Sequence, residues 1–110
     1  MKLVERTILG LLFDSAAQDG FYCDRFAPNS GMPGDEITLS APPGLCAAQC
    51  IQEADVYDSA SVAEFVDGEG RRFWILLIWG NGEDVVSDYS GGKPYADAVV
   101  ERVYKQIEGP

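Results

Sequence analysis

Apolar residues recur at three- and four-residue spacing near the start of the chain: Leu3, Val4, Ile8, Leu11 and Leu12, then Ser15 and Ala16. A stripe of that kind predicts an amphipathic helix over residues 3–17 with one buried side. Asp19-Gly20 closes it, because glycine readily takes the left-handed conformation that ends a helix. Residues 21–26 are short and aromatic-rich, which reads as a strand. Residues 27–34 hold two prolines and two glycines beside Asn29 and Ser30, the composition of a loop. Over residues 36–40, Ile37 and Leu39 alternate with polar neighbours, so a second, half-buried strand is expected. Ala41-Pro42-Pro43-Gly44 breaks the chain before residues 45–54. There Leu45, Cys46, Ala48, Cys50, Ile51 and Ala54 keep helical spacing, and the alanines favour a helix.

From residue 60 the period changes. Residues 61–66 are strand-like and stop at Asp67-Gly68-Glu69-Gly70, a hairpin turn whose glycines accept positive φ. Residues 72–79 are apolar at nearly every position, as in a central strand covered on both faces. Gly80-Asn81-Gly82 is a second tight turn, and residues 84–89 form a further strand centred on Val85 and Val86. Ser90-Gly91-Gly92-Lys93 is a link. Pro94 suits the first turn of a closing helix over residues 94–107, with a stripe through Tyr95, Val99, Arg102/Val103 and Ile107 and an end at Gly109. The order is therefore α-β-β-α-β-β-β-α. This predicts a single α+β domain spanning residues 1–110, with helices on a mostly antiparallel sheet and a C-terminal three-stranded meander.

Trp74 and Trp79 are five residues apart on the central strand, so they point to opposite faces of the sheet. One fits under the helices. The other lies on a second face that helices leave uncovered, unless residues 27–44 fold over it. An uncovered apolar face is a candidate surface for a dimer or another partner.

Composition narrows the chemistry. The 110 residues contain 46% hydrophobic side chains, enough for a core. Eight basic residues against eighteen acidic ones give a net charge of −10, which disfavours direct binding to nucleic acid or to an anionic membrane. The same charge favours a basic protein as partner. Glu5 and Arg6 interrupt the N-terminal apolar stretch, so no secretory signal is expected. Three cysteines, an odd count, read as reduced thiols in a cytoplasmic protein, behaving as small buried hydrophobes.

Histidine is absent, which removes the commonest general base and metal ligand. Cys46 and Cys50 share a helical face, but only Cys23 remains to join them, so no metal site is expected. Asp67 and Glu69, and then Glu83, Asp84 and Asp88, match no calcium loop. Gly80-x-Gly82 lacks the rest of a phosphate loop. No catalytic residue and no cofactor are expected. Asn81-Gly82 suits a hairpin and the valines suit a core. Asp84 and Asp88, of equal parity along the expected strand, and Tyr89 are left least explained. Together with Trp79 and Asn81 they are the candidate binding residues.

The strand running into Trp79-Gly80-Asn81-Gly82, then Asp84-Val85-Val86-Ser87-Asp88-Tyr89 before a closing helix, resembles a group of short uncharacterised proteins from bacteria, their phages and mobile elements. The resemblance covers the second half of the chain well and residues 3–26 loosely. Residues 27–44 have no counterpart in it. It implies the same element order and a mobile origin, integron gene cassettes included, and no activity. The expected function is a non-enzymatic protein-binding or accessory role. A nucleic-acid mimic that blocks a DNA-binding enzyme, or a small-molecule binder, stand as alternatives.

Overall fold

A computed structural model describes residues 1–29, 45–57, 59–90 and 93–109. The strand expected over residues 36–40 and most of the loop over 27–34 lie outside them. The elements are α1 (Leu3–Gln18), β1 (Tyr22–Ala27), α2 (Ala47–Tyr57), β2 (Ala60–Val66), β3 (Arg72–Ile78), a 3-10 turn (Gly82–Asp84), β4 (Val86–Tyr89) and α3 (Pro94–Glu108). The sequence pattern predicts five strands. Four are found among the described residues, in one antiparallel sheet ordered β1-β2-β3-β4. The α+β class and the C-terminal meander of β2, β3 and β4 stand as expected.

Parity sorts the sheet. On β3, Phe73, Ile75 and Leu77 are buried while Arg72, Trp74, Leu76 and Ile78 are only half-buried. Their β2 partners follow, with Phe65 opposite Phe73 and Ala63 opposite Ile75. The buried set packs with Ile8, Leu9 and Leu12 of α1, Cys50 and Ala54 of α2, and Val99 and Val103 of α3 in one core. All three helices therefore load the same face of the sheet. Aromatic rings run through that core: Phe13 to Phe65 at 5.2 Å, Phe65 to Phe73 at 5.0 Å, Phe73 to Phe21 at 5.0 Å, and Phe21 to Tyr95 at 5.4 Å. Edge-on and offset contacts at these separations suit the ring quadrupoles.

The face of α1 differs from the apolar stripe. Leu3 is 79% exposed, whereas Glu5, one turn into the helix, is 0% exposed. α1 ends at Asp19 and Gly20, whose N–H groups reach the carbonyls of Ala16 and Ala17, with Gly20 at φ 83°. α2 starts two residues later than its apolar spacing suggests, because the Leu45 N–H donates to Cys23 O at 2.7 Å and Leu45 is extended against β1. Asp67 organises the β2–β3 turn: its carboxylate accepts the Glu69 and Arg71 N–H groups at 3.0 and 2.8 Å, and the Arg71 Nε–H at 2.6 Å. No helix among the described residues is long and apolar enough to cross a membrane.

Candidate functional site

The candidate residues follow β3 and divide at once. Trp79 continues the inward parity of β3 and is 6% exposed, with its indole N–H donating to Ser61 Oγ at 2.8 Å. The Ser61 hydroxyl in turn donates to Pro28 O at 2.8 Å. An aromatic ring so buried and tied at its polar tip is an anchor of the core. Trp79 is thus buried on the helix side of the sheet, and Trp74 is on the face that carries no helix among the described residues.

The turn after Trp79 is held from below. Gly80 and Gly82 take φ of 104° and 63°, so both donors of the turn point back to α1. Glu5 Oε2 accepts the Gly80 N–H at 2.7 Å and the Gly82 N–H at 3.0 Å, while Oε1 accepts the Lys2 N–H at 2.7 Å. Burial pushes the Glu5 carboxyl up. The three backbone donors and the N-terminal ammonium outweigh it and hold it below the ordinary glutamate value.

Asn81 is exposed and its carbonyl accepts the Asp84 N–H at 3.2 Å. Asp84 belongs to the 3-10 turn, so the shared strand parity expected for Asp84 and Asp88 is not found. Chain geometry is the reason. Ile78 N–H donates to Val85 O at 2.8 Å, Val85 is fully buried, and β4 starts only at Val86 with an irregularity opposite Leu76 and Leu77. Asp88 is exposed, and its own carboxylate accepts the Tyr89 N–H at 2.8 Å.

Tyr89 turns toward α3. The Asp97 carboxylate beside its hydroxyl, burial, and the charges of Asp97, Glu101 and Asp88 raise the phenol above its ordinary value. Tyr104, on the same side of α3, donates its hydroxyl to Glu83 O at 2.7 Å. Burial and the charges of Asp84 and Glu83 push this phenol up, against the opposing pull of the nearby Val86 N–H.

Two acidic groupings result: Asp88, Asp97 and Glu101 act on the Tyr89 phenol, and Glu83 and Asp84 act on the Tyr104 phenol. None of these five carboxylates pairs with a lysine or arginine among the described residues. Sequence reasoning omits Asp97 and Glu101. Their four-residue spacing on the closing helix, in line with Tyr104, carries half the signal. The other half is the docking of α3 beside β4, which local pattern does not encode. These two groupings form an acidic rim that carries uncompensated negative charge, with no nucleophile–base pair among the described residues.

The opposite face of the sheet carries Trp74, Leu76 and Ile78 with a charged margin. Arg72 contacts Asp24 at 3.0 Å and Glu64 at 3.8 Å. Arg25 reaches Glu64 at 3.9 Å. No group of three or more histidine, cysteine or acidic side chains among the described residues could hold a metal ion. Cys23 and Cys50 are buried, whereas Cys46 is exposed at the start of α2, against the expectation of three buried thiols. No protein-family model, curated protein or solved structure matches the chain.

Proposed function

We propose that this is a non-enzymatic protein-binding or accessory protein whose acidic rim takes a basic partner. One observation carries the reading: Asp88, Asp97 and Glu101 about Tyr89, and Glu83 and Asp84 about Tyr104, have no countercharge among the described residues, in a chain of net charge −10. Uncompensated like charges repel one another, and a partner bearing lysine or arginine relieves that repulsion and is steered in by the field. The mobile-element origin implied by the Trp79–Tyr89 resemblance belongs to the same proposal. So does the cytoplasmic setting.

A probe of defined chemistry tests it. An oligo-lysine peptide is titrated against the protein and against the variant Asp84→Asn/Asp88→Asn/Glu101→Gln. A control removes three charges elsewhere, through Asp14→Asn/Glu53→Gln/Glu108→Gln. The rim variant is expected to lose about tenfold in affinity at low salt and the control much less, with raised salt erasing the difference. Equal losses in both variants would mean a diffuse polyelectrolyte effect and would overturn the rim.

The half-buried Trp74, Leu76 and Ile78, on a sheet face that carries no helix among the described residues, support a second reading, self-association. The net charge opposes it at low ionic strength. A dimer seen in sedimentation only at high salt, and lost in Leu76→Glu, would favour it over the rim.

A further inference from the structure

We propose that the outer edge of β4 is the seat of the basic partner, which adds an extended, lysine-bearing segment to the sheet as a further strand once its cations draw Asp88 off that edge. The inference deepens the reading of the acidic rim and rests on it. β4 ends the sheet, with β3 on one side and no strand on the other among the described residues. The opposite edge strand is already engaged, because the Leu45 N–H donates to Cys23 O at 2.7 Å on the outer side of β1. A strand edge is a row of backbone donors and acceptors, and an extended segment is what pairs with such a row.

Backbone geometry shows which donor faces outward. Successive N–H groups of a strand point to opposite sides in the plane of the sheet. The Ser90 N–H donates to Trp74 O at 3.1 Å, back toward β3, so the Tyr89 N–H before it points to the outer side. Asp88 Oδ1 accepts that N–H at 2.8 Å. This exposed carboxylate therefore occupies the donor that a new strand would use, and its charge keeps neutral strands away. A lysine answers both obstacles. Its ammonium takes the carboxylate, and a carbonyl of the incoming segment takes the Tyr89 N–H.

Acids flank this edge on both faces of the sheet. Tyr89 pairs with Ile75 and Asp88 with Leu76, so Tyr89 has the parity of the helix-covered face and Asp88 that of the other. Asp97 and Glu101 of α3 lie on the Tyr89 side, where their charges reach its phenol. Side chains of an added strand alternate between the two faces, so lysines at neighbouring positions meet acid on both. A basic helix presents its charges along one stripe and leaves part of that acid unmet. β4 has only four residues and its register shifts between Leu76 and Leu77. Few backbone bonds can form there, and charge supplies the rest of the affinity.

The test uses two peptides of equal charge. One is acetyl-Lys-Val-Lys-Lys-Val-Lys-amide. The other has the same sequence with every internal amide nitrogen methylated, which removes its donors and places a methyl group where two strands would meet. Both are titrated against the whole protein at low salt by calorimetry, and exchange of the Tyr89 amide is followed by NMR. The unmethylated peptide is expected to bind about tenfold more tightly and to slow that exchange. Equal affinity for the two peptides overturns the edge and leaves the rim in place. No binding of either overturns the rim, and this inference with it. A dimer in sedimentation without peptide, with Tyr89 amide protection that falls on dilution, gives the edge to a second copy and overturns the proposal. In Asp88→Ala without peptide the Tyr89 amide is expected to exchange several-fold faster, and the unmethylated peptide to slow it again. Unchanged exchange in that variant overturns the role given to Asp88. The two peptides on the unaltered protein decide the edge even if the variant fails to fold.

Discussion

Glu5 is the residue on which the geometry after β3 depends. A fully buried carboxylate is unfavourable unless its lone pairs are filled, and here three backbone N–H groups fill them. Glu5→Ala removes the acceptor and strands those donors, so a loss of roughly 2–4 kcal/mol is expected in urea unfolding. Glu5→Gln keeps the volume and half the acceptor capacity, and should cost roughly 1–2 kcal/mol. The pH dependence follows from the direction of the shift. A carboxyl held below its unfolded value contributes stability that is complete above about pH 4 and drains away as pH falls through the folded value. The gap between the native protein and Glu5→Gln should therefore be wide at neutral pH and close on acidification. A gap independent of pH would mean that the carboxylate charge is not what matters. Gly80 is the other half of the contact. At φ 104° a side chain is strained even though open space surrounds the position, so Gly80→Ala is expected to cost about 1–2 kcal/mol.

At the scale of elements, the β2–β3 turn is set by one side chain. The Asp67 carboxylate is pulled below its ordinary value by Arg71 and by the Arg71 and Glu69 N–H groups, although burial works the other way. Asp67→Asn should lower hydrogen-exchange protection at the turn and at the adjoining β2–β3 pairs while leaving α1 protected. In the unaltered protein, that protection should weaken as acid titrates Asp67. Uniform loss across the molecule would show that the turn is not an independent unit. These contacts also show what the chain pattern could reveal. Strands β2 and β3 and the outer helices are legible because period and turn residues agree there. Glu5 is not, because a lone acid in an apolar stripe reads as a break in the stripe, and its partners lie 75 and 77 residues away. The same limit applies to Trp79 and Asp84. Parity alone leaves open whether Trp79 or Trp74 is the buried tryptophan until Ser61 accepts the Trp79 indole N–H. Asp84 looks like part of a strand until Val85 takes the buried position and forces a 3-10 turn ahead of β4. In each case a distant contact overrules local spacing.

Over the whole molecule, charge is distributed against stability. Every described arginine meets an acid: Arg6 meets Asp55, Arg25 meets Glu64, Arg71 meets Asp67, Arg72 meets Asp24 and Arg102 meets Asp19. The rim of Glu83, Asp84, Asp88, Asp97 and Glu101 has no such neighbour among the described residues, and repulsion within it raises the free energy of the folded state. Neutralising it should therefore stabilise the fold even as it weakens binding to a basic partner. Asp84→Asn/Asp88→Asn is expected to raise stability by a few tenths of a kcal/mol at low ionic strength. At high salt, where the screening length shrinks to about 3 Å, the gain should vanish. Asp97 is left in place in that variant because its carboxylate acts most directly on the Tyr89 phenol, and removing it would confound charge with a change at that contact. Thermal unfolding of both proteins across a salt series makes the measurement. A variant that is less stable at every salt concentration would mean that Asp84 and Asp88 serve the turn and the start of β4. The rim would then be part of the scaffold, with no charge held in reserve for a partner.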